Sequence, residues 1–395
     1  MRNLLWITGR LPHPLRSGDA LYTAGLLRAA HAANFAVTVI GLPRSPNPNL
    51  NELDSVAPVD WRPVNAEPNS AIGSLVSALP KDAYTLYPAR FHLELSEALA
   101  RPWDWIVFDH ARSGGALKLA RRHSGKIAYV AHNVERNVRR EVAMGVSGKM
   151  FRPHYVIDAL KYGRLETKIV DAADAVLCIT EDDAEVFRRR GATAFHVPPV
   201  YLGEKLRTRT VSAETPRRVL LLGSFDWVAK QNNLLRFLDL AGTRLIAAGI
   251  GIDIVGSIPE RLKASLEATY PAVKFWGAVE DFREIAKDVR GGLIPEELGG
   301  GMKMKTLDYI FMRLPVFSLR SGAAGLPADV VSKGFASTTL AELASDILAG
   351  IDNVDDLDSR QNQAFDACEK RFSVEETAST LETVFSAENE RSRRV

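Results

Sequence analysis

The sequence predicts an α/β protein of two domains, and three observations predict it. The 395 residues exceed what one ordinary hydrophobic core organises and suggest two domains of about 200 residues each. Both halves repeat the same alternation of short continuous apolar runs and helix-spaced segments, the pattern of strands and helices in turn. The composition, 46% hydrophobic and 25% charged, is that of a folded globular chain.

In the first half, Leu4 to Ile7 reads as a buried strand, Thr8 to Gly18 as a loop rich in Pro and Gly, and Asp19 to His31 as a helix with Leu21, Ala24, Leu26 and Leu27 apolar. Strand, glycine loop and helix can hold a phosphate, and the same order is also an ordinary α/β turn. Phe35 to Ile40 is the second strand and Pro43 to Pro48 a loop; the region on to Pro88 has little periodicity and stays unassigned. Trp105 to Phe108 is a strand ending in Asp109-His110, Ser113 to Arg122 a helix, and Ile127 to Ala131 a strand ending in His132-Asn133-Val134-Glu135. Ligand groups gather at the carboxyl ends of parallel strands, so His110 and His132 are candidate site residues. Glu135 reads as an early-helix acid that complements the helix dipole.

Tyr155 to Val170 is a long helix, Ala175 to Ile179 a strand, and Thr180 to Arg190 a helix capped by Thr180. Glu181, Asp182 and Asp183 then sit at its positive end, which explains them better than a metal site does. No His, Cys or carboxylate cluster has metal-ligand spacing, and no metal is expected. Val197-Pro198-Pro199 closes the first domain and the polar stretch Gly203 to Pro216 is a linker. The expected boundaries are 1–202 and 203–372, with a last helix in 373–395.

The second half opens with a strand at Arg218 to Leu222, a turn Gly223-Ser224-Phe225-Asp226-Trp227 and a helix from about Lys230. Ile252 to Val255 and Val273 to Trp276 follow as strands. The most informative stretch is Pro295 to Val316, PEELGGGMKMKTLDYIFMRLPV. A strand ending at Leu293-Ile294-Pro295, three glycines, and apolar Met304, Leu307, Ile310 and Phe311 at helical spacing give a helix N-terminus with outward backbone N–H groups, a place for a phosphate. Lys303 and Lys305 in the first turn oppose the helix dipole and suggest an absent anion. Asp308, one turn on, can accept from a sugar hydroxyl, and together these residues suit a nucleotide diphosphate.

The net charge of +2 hides an uneven distribution. Residues 112 to 168 carry thirteen basic and four acidic side chains, a stretch able to attract an anionic membrane surface or acceptor, or simply a solvated helix face. Neither an aromatic platform nor a recognised motif supports nucleic acid binding. Two cysteines, Cys178 and Cys368, make no disulfide framework, and no apolar run is long enough to span a bilayer. A cytoplasmic protein, peripheral on the inner membrane face at most, is the expectation.

At Pro295 to Val316 the chain resembles the signature of family-four retaining glycosyltransferases, a glycine turn followed by a helix of the form "GGG-x-x-x-K-x-x-E-A-M-A-x-G-x-P-V". Lys305 falls on the family lysine and Asp308 on the ribose glutamate. Tyr129 to Glu135 is similar to the segment whose histidine contacts the donor sugar, and Ser17 to Leu27 to the first glycine loop, with Gly18 as its glycine. Three departures stand out. Gly300 occupies the place of a second glutamate, Ser224 that of an arginine, and Tyr309, Ile310 and Phe311 replace small residues.

The resemblance implies the GT-B fold, two facing Rossmann-like domains with a donor cleft between them. It implies transfer of a sugar, with retention, from a nucleotide diphosphate sugar to an acceptor hydroxyl, in bacterial-type surface polysaccharide or glycolipid assembly. His132, Lys230 and Lys305 are the implied catalytic groups; Gly18, Ser224, Lys303, Gly299, Gly300, Gly301, Asp308 and Val279 the implied donor contacts; His110 and Asp19 the acceptor-side candidates. No cofactor is implied beyond the donor itself, a UDP-sugar ahead of a GDP-sugar, and the other partner is a saccharide or lipid-linked acceptor. No side chain stands out as a general base. A sugar-nucleotide epimerase or hydrolase, or a non-catalytic nucleotide-sugar binding protein, are the other readings.

Overall fold

The computed structural model describes residues 2–45, 48–145, 152–226, 228–297, 301–334 and 337–386. The chain forms two compact units, one of residues up to Leu202 together with the segment from Phe372, the other Gly203–Arg371.

The first unit is built on seven strands, β1 (Asn3–Arg10), β2 (Ala36–Leu42), β3 (Asp60–Pro63), β4 (Trp105–Asp109), β5 (Lys126–Ala131), β6 (Ala175–Cys178) and β7 (Ala194–His196). Their order is β3-β2-β1-β4-β5-β6-β7, and every pairing is parallel. A parallel sheet is covered on both faces, so its central strands are continuous apolar runs. Leu4 to Ile7 and Ile106 to Phe108 are accordingly fully buried. The order reverses between β1 and β4, the point where such sheets open to a ligand. The helix Gly18–Ala32 follows β1, and the C-terminal helix Val374–Ser386 packs against it. There Phe385 meets Phe35 and Trp105 edge-on, and its carbonyl accepts from Trp105 Nε1 at 3.2 Å.

Two local expectations change. The helix expected over Ser113 to Arg122 starts as a 3-10 turn, Ala111–Ala116, and continues as a short α-helix, Leu117–Ala120. Gly114 lies against Leu165 and Ile169 and Gly115 against Ala83 and Tyr87, with no room for a Cβ at either position. This close packing sets the tighter turn. The unassigned stretch before Pro88 holds the helix Leu50–Val56 and the edge strand β3, whose terminal Pro63 needs no ladder partner for its nitrogen.

Thr180 caps the helix Glu181–Arg189, its Oγ1 accepting from Asp183 N at 3.1 Å. Its hydroxyl in turn donates to the Asp183 carboxylate at 2.7 Å. Thr180→Ala should therefore lower stability by about 1 kcal/mol in denaturant unfolding. An unchanged midpoint would mean that the three first-turn acids suffice.

The second unit has five parallel strands, β8 (Arg218–Leu222), β9 (Gly251–Val255), β10 (Val273–Gly277), β11 (Gly291–Ile294) and β12 (Val316–Ser318), in the order β10-β9-β8-β11-β12. Its switch point lies between β8 and β11. The helix Met304–Phe311 is pinned there by Tyr309, whose hydroxyl accepts from Leu222 N at 2.7 Å and lies 3.0 Å from the Leu220 carbonyl. A Cβ on Gly292 would come within 2.4 Å of the Tyr309 ring. The bare glycine of β11 thus makes the space for a bulky residue where the resembled signature has a small one. Among the described residues no helix is long and apolar enough to cross a membrane.

Candidate functional site

In the second unit, the groups singled out from the sequence collect at the carboxyl ends of β8, β9 and β11. After β8, Ser224 Oγ donates to Asp226 Oδ2 at 2.8 Å, and Ser257, just beyond β9, places its hydroxyl 2.5 Å from the same carboxylate and 3.0 Å from Ser224 Oγ. These hydroxyls hold the Asp226 carboxyl below its usual range. The two turns touch: Gly256 has φ 135°, and a Cβ there would overlap the Gly223 carbonyl oxygen. Ser224 therefore braces a turn.

Lys305, in the first helical turn, donates to the Leu222 carbonyl at 2.8 Å and forms an ion pair with Glu296. This corrects the expectation that both lysines there await an external anion, because Glu296 already supplies Lys305 with a counter-charge. The other Glu296 oxygen is buried and has no hydrogen-bond partner. The surrounding segment is tied down: the Glu296 carbonyl accepts from Ser321 at 2.5 Å, and Glu297 pairs with Arg236 at 2.5 Å. Lys230, on the helix Val228–Phe237, is close enough that its ammonium is held below its usual value, first by desolvation and then by Lys305, while Glu296 and Asp226 act in the opposite sense.

Lys303 occupies the N-cap position itself, one residue ahead of the first turn, with φ −88° and ψ 98°. Gly301 has φ 68°, the left-handed conformation that glycine adopts without strain. Gly299 and Gly300 lie outside the described residues. Asp308, half-buried, stands one turn along the helix, and Val279, also half-buried, follows the end of β10.

In the first unit, the switch point between β1 and β4 carries a buried network that the sequence did not announce. Asp109, at the end of β4, is almost fully buried and accepts from Trp6 Nε1 at 3.2 Å and Thr23 Oγ1 at 2.7 Å, with His132 Nε2 also at 2.7 Å. Trp6 and Thr23 donate to one oxygen of this group, and an ionised carboxylate only accepts, so opposite it a neutral His132 ring donates through Nε2 and keeps its lone pair on Nδ1. Tyr22 stacks edge-on against that ring at 5.1 Å, and His110 lies 5.0 Å from it.

His110 turns the chain out of β4 with φ 69°. Its Nδ1 accepts from Arg112 N at 3.3 Å and its Nε2 lies 3.4 Å from Glu135 Oε1. Burial, then the charges of Arg112, His132 and Arg139, keep it well below the usual histidine range, so the neutral ring, with Nδ1 accepting, carries its proton on Nε2, the nitrogen on the Glu135 side. Glu135 is in the first turn of the helix Glu135–Gly145, but it does more than complement a dipole: its carboxylate is buried and pairs with Arg139 at 2.9 Å. Asp19 is paired with Arg112 at 2.5 Å and Arg44 at 3.1 Å. Burial pushes its carboxyl up, and Arg112 with its neighbours overcomes this and holds it well below the usual range. Gly18 is the first residue of the helix that Asp19 enters. Two histidine–carboxylate pairs thus stand where the sequence showed no general base.

Behind this network, Glu166 is buried and accepts from Glu135 N at 2.7 Å and Arg136 N at 3.5 Å, closing the N-terminus of their helix. Burial dominates and pushes its carboxyl from the usual 4.5 up to about 7. A raised folded value means that the native state binds the proton more tightly than the unfolded chain. The resulting stabilisation is complete below the unfolded value and is lost as pH rises through about 7. Relative to Glu166→Gln, the wild type should lose roughly 1–3 kcal/mol between pH 4.5 and 7 and stay level above. A flat difference in thermal midpoints across that window would refute the assignment.

No family model matches the sequence, and no curated relative is detected. Solved structures do match over nearly the whole chain. HepE from Anabaena, in complex with UDP-glucose, superposes with a TM-score of 0.65 at 13% identity, covering 98% of this chain and 100% of its own. TarM of S. aureus, in a complex with fondaparinux, α-GlcNAc-glycerol and UDP, gives 0.67 at 9% identity over 98% and 100%. Sucrose-phosphate synthase from Thermosynechococcus elongatus gives 0.65 at 16% identity over 98% of both chains. The chain has the α/β fold of these GT-B glycosyltransferase structures, with a Rossmann-like parallel sheet in each of its two units.

Proposed function

We propose that this protein transfers a sugar, with retention, from a nucleotide diphosphate sugar to an acceptor hydroxyl in the assembly of a surface polysaccharide or glycolipid. The observation that carries the proposal is the convergence of Lys305, Lys230 and the Gly301-to-Met304 helix entry at the β8–β11 switch point. That combination of cations and amides suits a diphosphate. In this reading Lys303, Lys305 and Lys230 offset the negative charge that builds on the oxygens of the leaving diphosphate. Asp308 accepts from the ribose, and the main chain around Val279 meets the base. Gly301, in its left-handed conformation, lets backbone approach the phosphates, with Ser224 bracing the neighbouring turn; Gly18, Gly299 and Gly300 are assigned to the donor from the resemblance alone. His132, oriented by Asp109, is assigned to the transferred glycosyl group, and His110 and Asp19 to the acceptor.

The UDP and UDP-glucose seen with HepE and the UDP seen with TarM support a UDP-sugar donor. Retaining transfer of this kind needs positioning and leaving-group stabilisation more than a protein base. The buried His132–Asp109 and His110–Glu135 pairs favour a second reading, in which a histidine takes the acceptor proton and the product is inverted. Proton NMR of the freshly formed glycoside decides between them: an anomeric configuration equal to the donor's supports retention, the opposite one supports inversion. Donor consumed equally fast without any acceptor would instead indicate a hydrolase or epimerase.

A further inference from the structure

The helix Arg152–Ala172 buries one side, with Tyr162, Leu165, Ile169 and Val170 in the core of the first unit. A helix packed in this way normally shows polar side chains on the opposite side. Here the first half of that side carries Val156, Ile157 and Leu160, the last two 54% and 57% exposed. Beside them lies the 3-10 turn Ala71–Leu75 with the next residue, where Ile72 and Val76 are 77% and 94% exposed. Lys161 Nζ donates to the Ser74 carbonyl at 2.7 Å, and Asp158 accepts from Lys81 N at 2.7 Å, so the two segments adjoin. With Leu75, Tyr155 and Met144, these regions hold eight of the thirteen exposed large apolar side chains among the described residues. That concentration is not the scattered exposure of an ordinary surface.

The exposed charge around the patch has one dominant sign. Arg164 and Lys168 continue the solvent side of the same helix, Arg136 and Arg140 come from the helix before it, and Lys81 flanks the 3-10 turn; all five are exposed. Glu141 and, one turn beyond Lys168, Asp171 are the exposed acids of these two helices, while Asp158 is half-buried against the Lys81 amide. We infer that this face of the first unit docks on an anionic lipid bilayer, its apolar side chains entering the headgroup boundary and its arginines and lysines meeting lipid phosphates. A second copy of the chain is the poorer occupant, because a two-fold contact would set the same basic rim against itself.

The test needs no sugar donor, so its failure leaves the transferase reading untouched. The full-length protein is co-sedimented with phosphatidylcholine vesicles with and without phosphatidylglycerol, alongside Ile157→Asp/Leu160→Asp and Arg164→Glu/Lys168→Glu. These exposed substitutions should leave circular dichroism and the thermal midpoint unchanged. The expected result is binding that requires phosphatidylglycerol, declines with salt, and weakens by about tenfold or more in each double variant. Absence of wild-type binding at low salt, or equal binding by both variants, would overturn the inference. So would light scattering that shows a wild-type dimer and a monomeric Ile157→Asp/Leu160→Asp variant, since the patch would then be a contact between copies.

Discussion

Lys305→Ala is expected to weaken nucleoside diphosphate binding by roughly 1.5–3 kcal/mol, about 10- to 150-fold, as removal of a charge-assisted hydrogen bond does. The same change acts on stability, because Lys305 is the counter-ion of Glu296 and also holds the Leu222 carbonyl. Removing one member of a largely buried pair leaves the other charged without compensation, at a cost of about 2–3 kcal/mol. The two effects separate in the double variant Lys305→Met/Glu296→Gln, which removes both charges and keeps similar volume. It should recover most of the thermal midpoint and none of the affinity. Recovered affinity would show that Lys305 serves only as structural support for Glu296.

Asp109→Ala should be among the most damaging single changes in the first unit. The carboxylate is the shared acceptor of Trp6, Thr23 and His132, and its loss strands three buried donors, a cost of about 3–5 kcal/mol. Asp109→Asn keeps an acceptor oxygen but can turn an amide donor toward His132 Nε2, so a smaller loss is expected. In that variant, glycosyl transfer should drop about a hundredfold in kcat with little change in KM if the orientation of His132 matters to the chemistry. A normal kcat in folded Asp109→Asn would reduce the network to a packing element.

The parts of the fold visible in the sequence are those set by local chemistry. β1, β4, β5 and β8 are short apolar runs because parallel strands are buried on both sides, and Thr180 followed by three acids marks a helix start by its own side chain. The helix at Met304 is legible from the spacing of Leu307, Ile310 and Phe311, all buried. β3 escaped because it is a four-residue edge strand with one buried side chain, Trp61. In the site, His110 and His132 are legible as strand-end residues, but their partners are not. Asp109 meets Trp6 and Thr23 across 103 and 86 residues, separations that leave no periodic trace. Glu296 as the counter-ion of Lys305 is equally hidden, since it lies nine residues away, outside the helix and its periodicity. Tyr309 reads as a departure from a signature until Gly292 is seen to make room for it.

The carboxyl end of the β8–β11 region is proposed to hold a nucleoside diphosphate. Calorimetric titration of the full-length protein with UDP, GDP, ADP and inorganic diphosphate tests it most directly. UDP should bind, and inorganic diphosphate should bind more weakly because the contacts to ribose and base are missing. If none of the four binds, or if inorganic diphosphate binds as tightly as UDP, the donor site proposed here is contradicted.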